Sequence, residues 1–214
     1  QKERKTRGRA WRTGGATGTK RGYGSVLDLT PTTAELTPVC PRLPGEPVIT
    51  VDTEFLRATP SCPLLCVVQL ASPDEAVVVD ALAEGIDLKP FFNLMSNERV
   101  LKVFHAARQD IEIVWHQAGI IPHPVFDTQV AAMVLGYGDS IAYDALVERI
   151  TGYRPDKTHR FTDWSRRPLT NDQLEYAVAD VTHLRDVFAA RDADHKNRAR
   201  RIWASEKLEG CTSR

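Results

Sequence analysis

The chain has 214 residues, 42% of them hydrophobic and 26% charged, and its 28 basic and 28 acidic side chains cancel at pH 7. That length allows one ordinary hydrophobic core. No apolar run approaches a membrane span, and the four cysteines lack paired CxxC spacing, which argues against structural zinc or a disulfide framework. We therefore expect a cytoplasmic protein with reduced thiols.

The charge is unevenly distributed along the chain. Residues 1–25 carry eight Lys and Arg against one Glu, and they are rich in glycine without apolar periodicity. This predicts a disordered basic head over residues 1–30. Such a segment strengthens nucleic-acid binding through phosphate contacts, but it is equally typical of upstream sequence read through or of an organellar transit peptide.

β-Branched residues predict a first strand at 47–55, and two more follow at 64–71 and 76–80, consistent with an antiparallel meander. Residues two apart on a strand share a face, so Asp52 and Glu54 project the same way. Adjacent carboxylates repel each other on a half-buried strand. A divalent cation removes that penalty, because Mg²⁺ and Mn²⁺ prefer oxygen ligands. A solvated acidic edge strand is the alternative.

Two strand-to-helix units are predicted next, around 100–118 and 124–136. Asp110 falls in the first turns of the first of these helices. The helix dipole favours a negative charge there in any protein. By itself Asp110 is thus equally well explained as ordinary helix chemistry or as a metal ligand.

A long helix is predicted from residue 171, because Thr170 and Gln173 form a capping box before an apolar pattern with helical spacing. Tyr176 and Asp180 are four residues apart and therefore lie on one face of this helix. With an ordinary pKa near 10, the phenol suits orienting a water better than deprotonating it. A partly exposed Tyr/Asp pair without function is the alternative.

The segments DTEF, HAARQDIE and YAVAD match the three exonuclease motifs of the DEDD family in its tyrosine-bearing subgroup. The stretches VVQLAS, FDTQVAAMVLGYG and DKTHRFTDWSRRPLTNDQLEYAVADVTHL resemble ribonuclease D. The resemblance covers residues 31–203, which we interpret as one exonuclease domain followed by a tail at 204–214. It implies an α/β fold of the ribonuclease H-like type, with a mixed β-sheet flanked by helices.

The resemblance also implies a site and an activity. Asp52, Glu54, Asp110 and Asp180 would hold two divalent cations, Mg²⁺ or Mn²⁺, about 3.5–4 Å apart, while Tyr176 aligns the attacking water. The implied enzyme is a 3′–5′ exoribonuclease that acts on single-stranded RNA 3′ ends, including those of tRNA precursors. It would release nucleoside 5′-monophosphates, and no obligate protein partner is implied.

Five further residues are predicted to contact substrate. Phe55 and Leu56 follow the first motif and are placed to stack on the terminal base, with core packing as the alternative for Phe55. Gln69 is polar within an apolar strand, so it hydrogen-bonds either the nucleotide or the first motif. Lys157 and Trp164 lie among Arg160, Arg166 and Arg167, and this basic and aromatic mixture suits an RNA backbone. A solvated loop is the alternative.

The sequence departs from the family pattern at two places. The loop at 58–63 lacks the aromatic pair that relatives carry, which puts substrate grip there in doubt. The chain also stops before any helical RNA-binding domain, so it is either a catalytic-domain-only form or a truncated gene product. A catalytically impaired RNA-binding module and a DNA-directed 3′–5′ exonuclease are therefore kept as alternative functions.

Overall fold

The structure is a computed structural model that describes residues 28–30, 48–59, 62–73 and 75–190. The predicted basic head up to residue 27, the tail at 204–214 and positions 60–61 of the altered loop lie outside the described residues.

Six strands and five helices make up the described part of the chain. In chain order they are β1 (Asp28–Thr30), β2 (Val48–Thr59), β3 (Cys62–Ala71), β4 (Ala76–Asp80), α1 (Lys89–Ser96), β5 (Leu101–Phe104), α2 (Arg108–Ala118), β6 (Val125–Asp127), α3 (Thr128–Val134), α4 (Tyr143–Thr151) and α5 (171–190). Across these ranges, every helix lacks the combination of length and apolar character needed to cross a lipid bilayer.

The strands form one mixed sheet in the order β1-β4-β3-β2-β5-β6. Strands β2, β3 and β4 pair antiparallel, as the predicted meander requires. The pairs β1–β4, β2–β5 and β5–β6 are parallel. Helices follow β5 and β6, as parallel crossovers demand. The predicted α/β class, a mixed sheet flanked by helices, is confirmed.

Helices cover both faces of this sheet. One face packs against α1 and α2, whose Phe91, Met95 and Ile113 are almost fully buried. The other face packs against α5 through Ala177 and against Trp164. Because the central strands are covered on both sides, β3 is a nearly continuous apolar run, a pattern typical of a doubly covered strand.

The structure extends and adds to the predicted elements. Strand β2 continues to Thr59 rather than ending at residue 55, while β1, α1 and α4 were not predicted. Strand β1 corrects the predicted disordered head at its end, because residues 28–30 pair with β4. The capping box is confirmed: the Thr170 N–H donates to Gln173 Oε1 at 2.9 Å, and the Gln173 N–H donates to Thr170 Oγ1 at 3.2 Å. These bonds satisfy two amides that the first helical turn leaves unpaired.

One lysine is completely buried beneath the sheet edge. The Lys102 ammonium on β5 donates to the carbonyls of Asn97 at 2.8 Å, Val100 at 2.9 Å and His123 at 2.5 Å. Burial lowers the pKa of Lys102 to about 8. The three bonds join the end of α1 to the segment that enters β6, so this side chain organises two connections of the fold.

An arginine anchors the α4–α5 loop (residues 152–170) to the sheet. The Arg167 guanidinium donates to both carboxylate oxygens of Asp80, at 2.5 and 2.8 Å, and to the carbonyl of Cys66 at 2.9 Å. It also donates to the carbonyl of Trp164 at 2.7 Å. Its donors are therefore occupied by the fold, which corrects the prediction that this arginine serves an RNA backbone.

Candidate active site

A cleft opens beside β2, because its parallel neighbour β5 is much shorter. Strand β2 pairs with β5 only over its first residues, through Thr50 opposite Val103. Beyond that point β2 continues alone on this side, and a register shift between Glu54 and Phe55 bends it. A cavity of about 340 Å³ lies here, with Asp52 and Glu54 in its wall.

Helix α5 brings a third carboxylate to the same place. The Thr50 hydroxyl donates to the carbonyl of Val181 at 2.7 Å, which fixes the helix against β2. Carboxylate oxygens of Asp52, Glu54 and Asp180 consequently all lie within 4.8 Å of one another. The structure therefore brings together three of the four predicted metal ligands, from segments more than 120 residues apart.

The fourth predicted ligand lies beside this cluster. Asp110 is buried in the first turn of α2, and its Oδ1 accepts a hydrogen bond from the Thr53 hydroxyl at 2.5 Å. It does not belong to the group within 4.8 Å, although its charge raises the pKa of Glu54 and the charge of Asp52 raises the pKa of Asp110 itself.

The electrostatics of the cluster are unfavourable without a counter-ion. Burial raises the pKa of Asp52 to about 6. Burial, together with the charges of Asp52, Asp180 and Asp110, raises the pKa of Glu54 to about 10. Burial and the charge of Asp52 raise the pKa of Asp110 to about 8 and that of Asp180 well above its ordinary value. Several desolvated acids side by side thus retain protons unless a cation replaces them.

Two tyrosines flank the carboxylates. Tyr176 lies one turn before Asp180, and its hydroxyl opposes the rise in the pKa of Asp180 by hydrogen bonding. Burial and the charges of Asp180, Glu54 and Asp52 raise the pKa of Tyr176 far above its ordinary value, so its phenol stays protonated. Tyr143 on α4 also lines the cavity and donates a short hydrogen bond to the backbone carbonyl of Asp180.

Basic side chains from the α4–α5 loop also line the cavity. Lys157 forms an ion pair with Asp144, and both of them line the cavity. The hydrogen bond from Lys157, the largest cause, lowers the pKa of Asp144. Arg160 lines the cavity too, and its charge acts on Asp180. The cavity wall therefore contains acids from β2 and α5 together with cations from the loop.

Four of the predicted substrate contacts now have defined positions. Phe55 lines the cavity beside Glu54 and also packs against the hydrophobic core, and Lys157 lines the cavity from the loop, so a substrate contact stays a prediction for both residues. Leu56 instead packs in the apolar cluster around Trp164 and is not part of the cavity wall. Trp164 itself is only 2% exposed. A buried indole cannot stack on a base in the cavity, so the predicted role of Trp164 is corrected.

The fifth predicted contact, Gln69, is also buried. It lies opposite Asp52 in the β2–β3 ladder and is 0% exposed, so the structure corrects its assignment as a nucleotide contact. Within the described part of the chain, neither of its amide atoms has a hydrogen-bond partner. The predicted hydrogen bond from Gln69 to the first motif is therefore also absent, and what the structure shows is its position opposite Asp52 in the ladder.

Sequence reasoning missed several residues of the cavity wall. Tyr143 and Asp144 belong to α4, a helix that was not predicted, and Gln109 precedes the second motif acid. His105 also lines the cavity, and its ring nitrogens lie 3.0 Å from Thr128 Oγ1 and 3.1 Å from the Ile141 carbonyl oxygen. The usable signal for His105 and Gln109 was their place in the second motif, HAARQDIE.

Comparison with known proteins agrees with this geometry. The family model described as 3′–5′ exonuclease matches residues 30–190, which include every acid of the cluster. The chain belongs to the 3′–5′ exonuclease family. It is 83% identical over 187 residues to Ribonuclease D of Nitrobacter hamburgensis, a match that covers 87% of this chain and 49% of that protein.

Two solved structures are similar to the structure of this chain. Escherichia coli RNase D, described as an exoribonuclease involved in structured RNA processing, is 31% identical with a TM-score of 0.72, over 78% of this chain and 45% of that one. Brucella melitensis NrnC bound to pGG is 26% identical with a TM-score of 0.64, over 86% and 85%. The chain spans about half the length of the curated relatives it matches.

Proposed function

We propose that this chain is a metal-dependent 3′–5′ exoribonuclease that removes nucleoside 5′-monophosphates one at a time from RNA 3′ ends. The observation that carries the proposal is the cluster of Asp52, Glu54 and Asp180, whose carboxylate oxygens lie within 4.8 Å of one another. Such a cluster destabilises the folded state, so it indicates a functional site. It lines a cavity whose wall also contains Lys157 and Arg160.

The donor set fits Mg²⁺ or Mn²⁺. These ions prefer carboxylate oxygens, and the raised pKa values of Asp52 and Glu54 are those of groups that lack a compensating positive charge. Asp52, Glu54 and Asp180 would hold the ions, with Asp110 completing the set after leaving Thr53. When bound, divalent ions lower the pKa of water and offset charge on a leaving oxygen.

The protein's own side chains then position the substrate. Tyr176 keeps its proton, so it orients the attacking water through its hydroxyl and does not act as a base. Lys157 and Arg160, which line the same cavity, attract the phosphates. Phe55 offers a ring to the terminal base at the bend in β2, a contact that tolerates any base.

RNA is the proposed substrate class. The relatives named Ribonuclease D and the exoribonuclease of Escherichia coli support RNA, and pGG in the Brucella melitensis neighbour supports a short strand end as ligand. We propose tRNA precursors as one physiological source of such ends, and the cytoplasm as the place of action.

The test is digestion of 5′-labelled and 3′-labelled single-stranded RNA, beside a matched DNA, with Mg²⁺ or Mn²⁺. Wild-type protein is expected to release 3′-terminal nucleoside monophosphates only with metal, and Asp52→Ala is expected to abolish release. Glu84→Gln, an exposed acid outside the cavity, serves as control. Folded protein that binds RNA without cleaving it would support the alternative of a catalytically impaired RNA-binding module. A preference for the DNA would support the alternative of a DNA-directed exonuclease.

A further inference from the structure

Phe161 is the most exposed large hydrophobic side chain in the described part of the chain, at 92%. It lies in the α4–α5 loop, which Arg167 anchors to the sheet. A ring exposed to this extent contributes little to the core. The ring directly follows Arg160, which lines the cavity, so a ligand is a better explanation for it than folding.

The ring is coupled to the cavity by its neighbour. The guanidinium carbon of Arg160 lies 5.5 Å from the centroid of the Phe161 ring, within the range of a cation–π contact. Arg160 also lines the cavity that holds the carboxylates. One face of the guanidinium thus contacts the exposed ring, while the side chain borders the place where a phosphate would enter.

The guanidinium of Arg160 forms no ion pair with a carboxylate within the described ranges, whereas Lys157 is paired with Asp144. The charge of Arg160 acts on two carboxyl groups from a distance, where it opposes the rise in the pKa of Asp180 and adds to the lowering of the pKa of Asp144. A flat apolar ring beside such a cation matches the chemistry of a nucleotide, whose base stacks and whose phosphate carries a negative charge.

We propose that Phe161 and Arg160 form a subsite for one nucleotide of single-stranded RNA on the 5′ side of the scissile phosphate. The terminal nucleotide occupies the cavity near the carboxylates, and Arg160 lines the same cavity, so this loop is placed to contact the next nucleotide of the strand. There the ring stacks on a base and the guanidinium binds the adjacent phosphate. This inference rests on the proposed function, and it assigns to Phe161 the aromatic role that sequence reasoning gave to Trp164.

The test is binding, measured by fluorescence anisotropy with 5′-labelled RNA of about ten nucleotides in the absence of added metal. Phe161→Ala is expected to weaken binding about tenfold, and Phe161→Trp is expected to keep it within about twofold, because stacking needs a flat ring. Trp115→Ala is the matched control: this ring is 52% exposed on α2, away from the cavity wall, and its removal should not change binding.

A single abasic nucleotide moved along the RNA then identifies the stacked base. At one position upstream of the 3′ terminus, wild-type protein should lose about tenfold in affinity and Phe161→Ala should lose nothing further. The inference is overturned if Phe161→Ala binds RNA with the affinity of wild type. It is also overturned if the abasic nucleotide weakens binding of Phe161→Ala as much as binding of wild type at every position of the RNA. Binding without any cleavage would refute the proposed function and leave this subsite standing.

Discussion

Replacing Glu54 with glutamine is expected to stabilise the metal-free protein while abolishing its activity. Burial and the charges of Asp52, Asp180 and Asp110 raise the pKa of Glu54 from 4.5 to about 10. At neutral pH the folded, metal-free protein therefore keeps a proton that the unfolded chain releases. Glutamine has the shape of the protonated acid, and it neither binds nor releases a proton when the chain folds.

The size of the effect follows from the shift. The Glu54 carboxyl of the unfolded chain releases its proton above pH 4.5, whereas that of the folded protein keeps it up to about pH 10. Each pH unit above 4.5 therefore lowers the free energy of unfolding by about 1.4 kcal/mol, which makes the penalty at pH 7 about 3 kcal/mol. The sign is that of a carboxyl group with a raised pKa: the folded state binds more protons, and stability falls as pH rises. At pH 5 the penalty is below about 1 kcal/mol.

Urea unfolding in EDTA at these two pH values measures the difference. Glu54→Gln should exceed wild type by about 3 kcal/mol at pH 7, equivalent to roughly 5–10 °C in Tm, and by less than about 1 kcal/mol at pH 5. Added Mn²⁺ should reverse the order, because the cation stabilises only the ionised cluster. Glu84→Gln, an exposed acid, should not change stability under either condition.

Two outcomes would refute this reasoning. A loss of stability in Glu54→Gln at pH 7 without metal would mean that Glu54 is ionised and well solvated in the folded protein. A gain that is equal at both pH values would mean that the stabilisation does not come from a proton. Exonuclease activity retained by Glu54→Gln would show, independently of stability, that Glu54 is not a metal ligand.

Three further substitutions test other parts of the structure. Tyr176→Phe should lower kcat about 10²-fold while leaving KM and stabilisation by Mn²⁺ unchanged, because the hydroxyl orients water without holding the ion; a change in KM alone would contradict this role. Lys102→Met should cost about 3 kcal/mol by leaving buried carbonyls unpaired, measured by urea unfolding. Because burial lowers the pKa of Lys102 to about 8, the unfolded chain binds more protons above that pH, so wild-type stability should rise relative to Lys102→Met between about pH 8 and 10.5. Arg167→Lys should cost about 2 kcal/mol, since an ammonium cannot bind both oxygens of Asp80 and the Cys66 carbonyl together; unchanged stability would show that the loop has another anchor.

The cluster and the central strands were accessible from sequence because they depend on local patterns. Alternation on β2 placed Asp52 and Glu54 on one face, and helical spacing placed Tyr176 and Asp180 one turn apart. The capping box marked the start of α5. In each case the geometry of one element decides where the side chain points, so no knowledge of distant packing was needed.

The aromatic residues of the α4–α5 loop were not accessible in this way. Trp164 and Phe161 are three residues apart in a segment without periodicity, yet one is 2% and the other 92% exposed. The difference comes from the sheet face and α5, against which only Trp164 packs. Tyr143 was missed for a similar reason, because α4 is short and its contacts are with other helices.

The hydrogen bond between Thr50 and Val181 spans 131 residues, and this separation has a consequence for when the carboxylate cluster forms during synthesis. The first two acids are synthesised well before Asp180, by an interval on the order of ten seconds at ordinary elongation rates. Until α5 docks on β2, a nascent chain beside its own messenger RNA lacks the third carboxylate of the cluster. The order of segments along the chain therefore delays assembly of the proposed active site until α5 has been made.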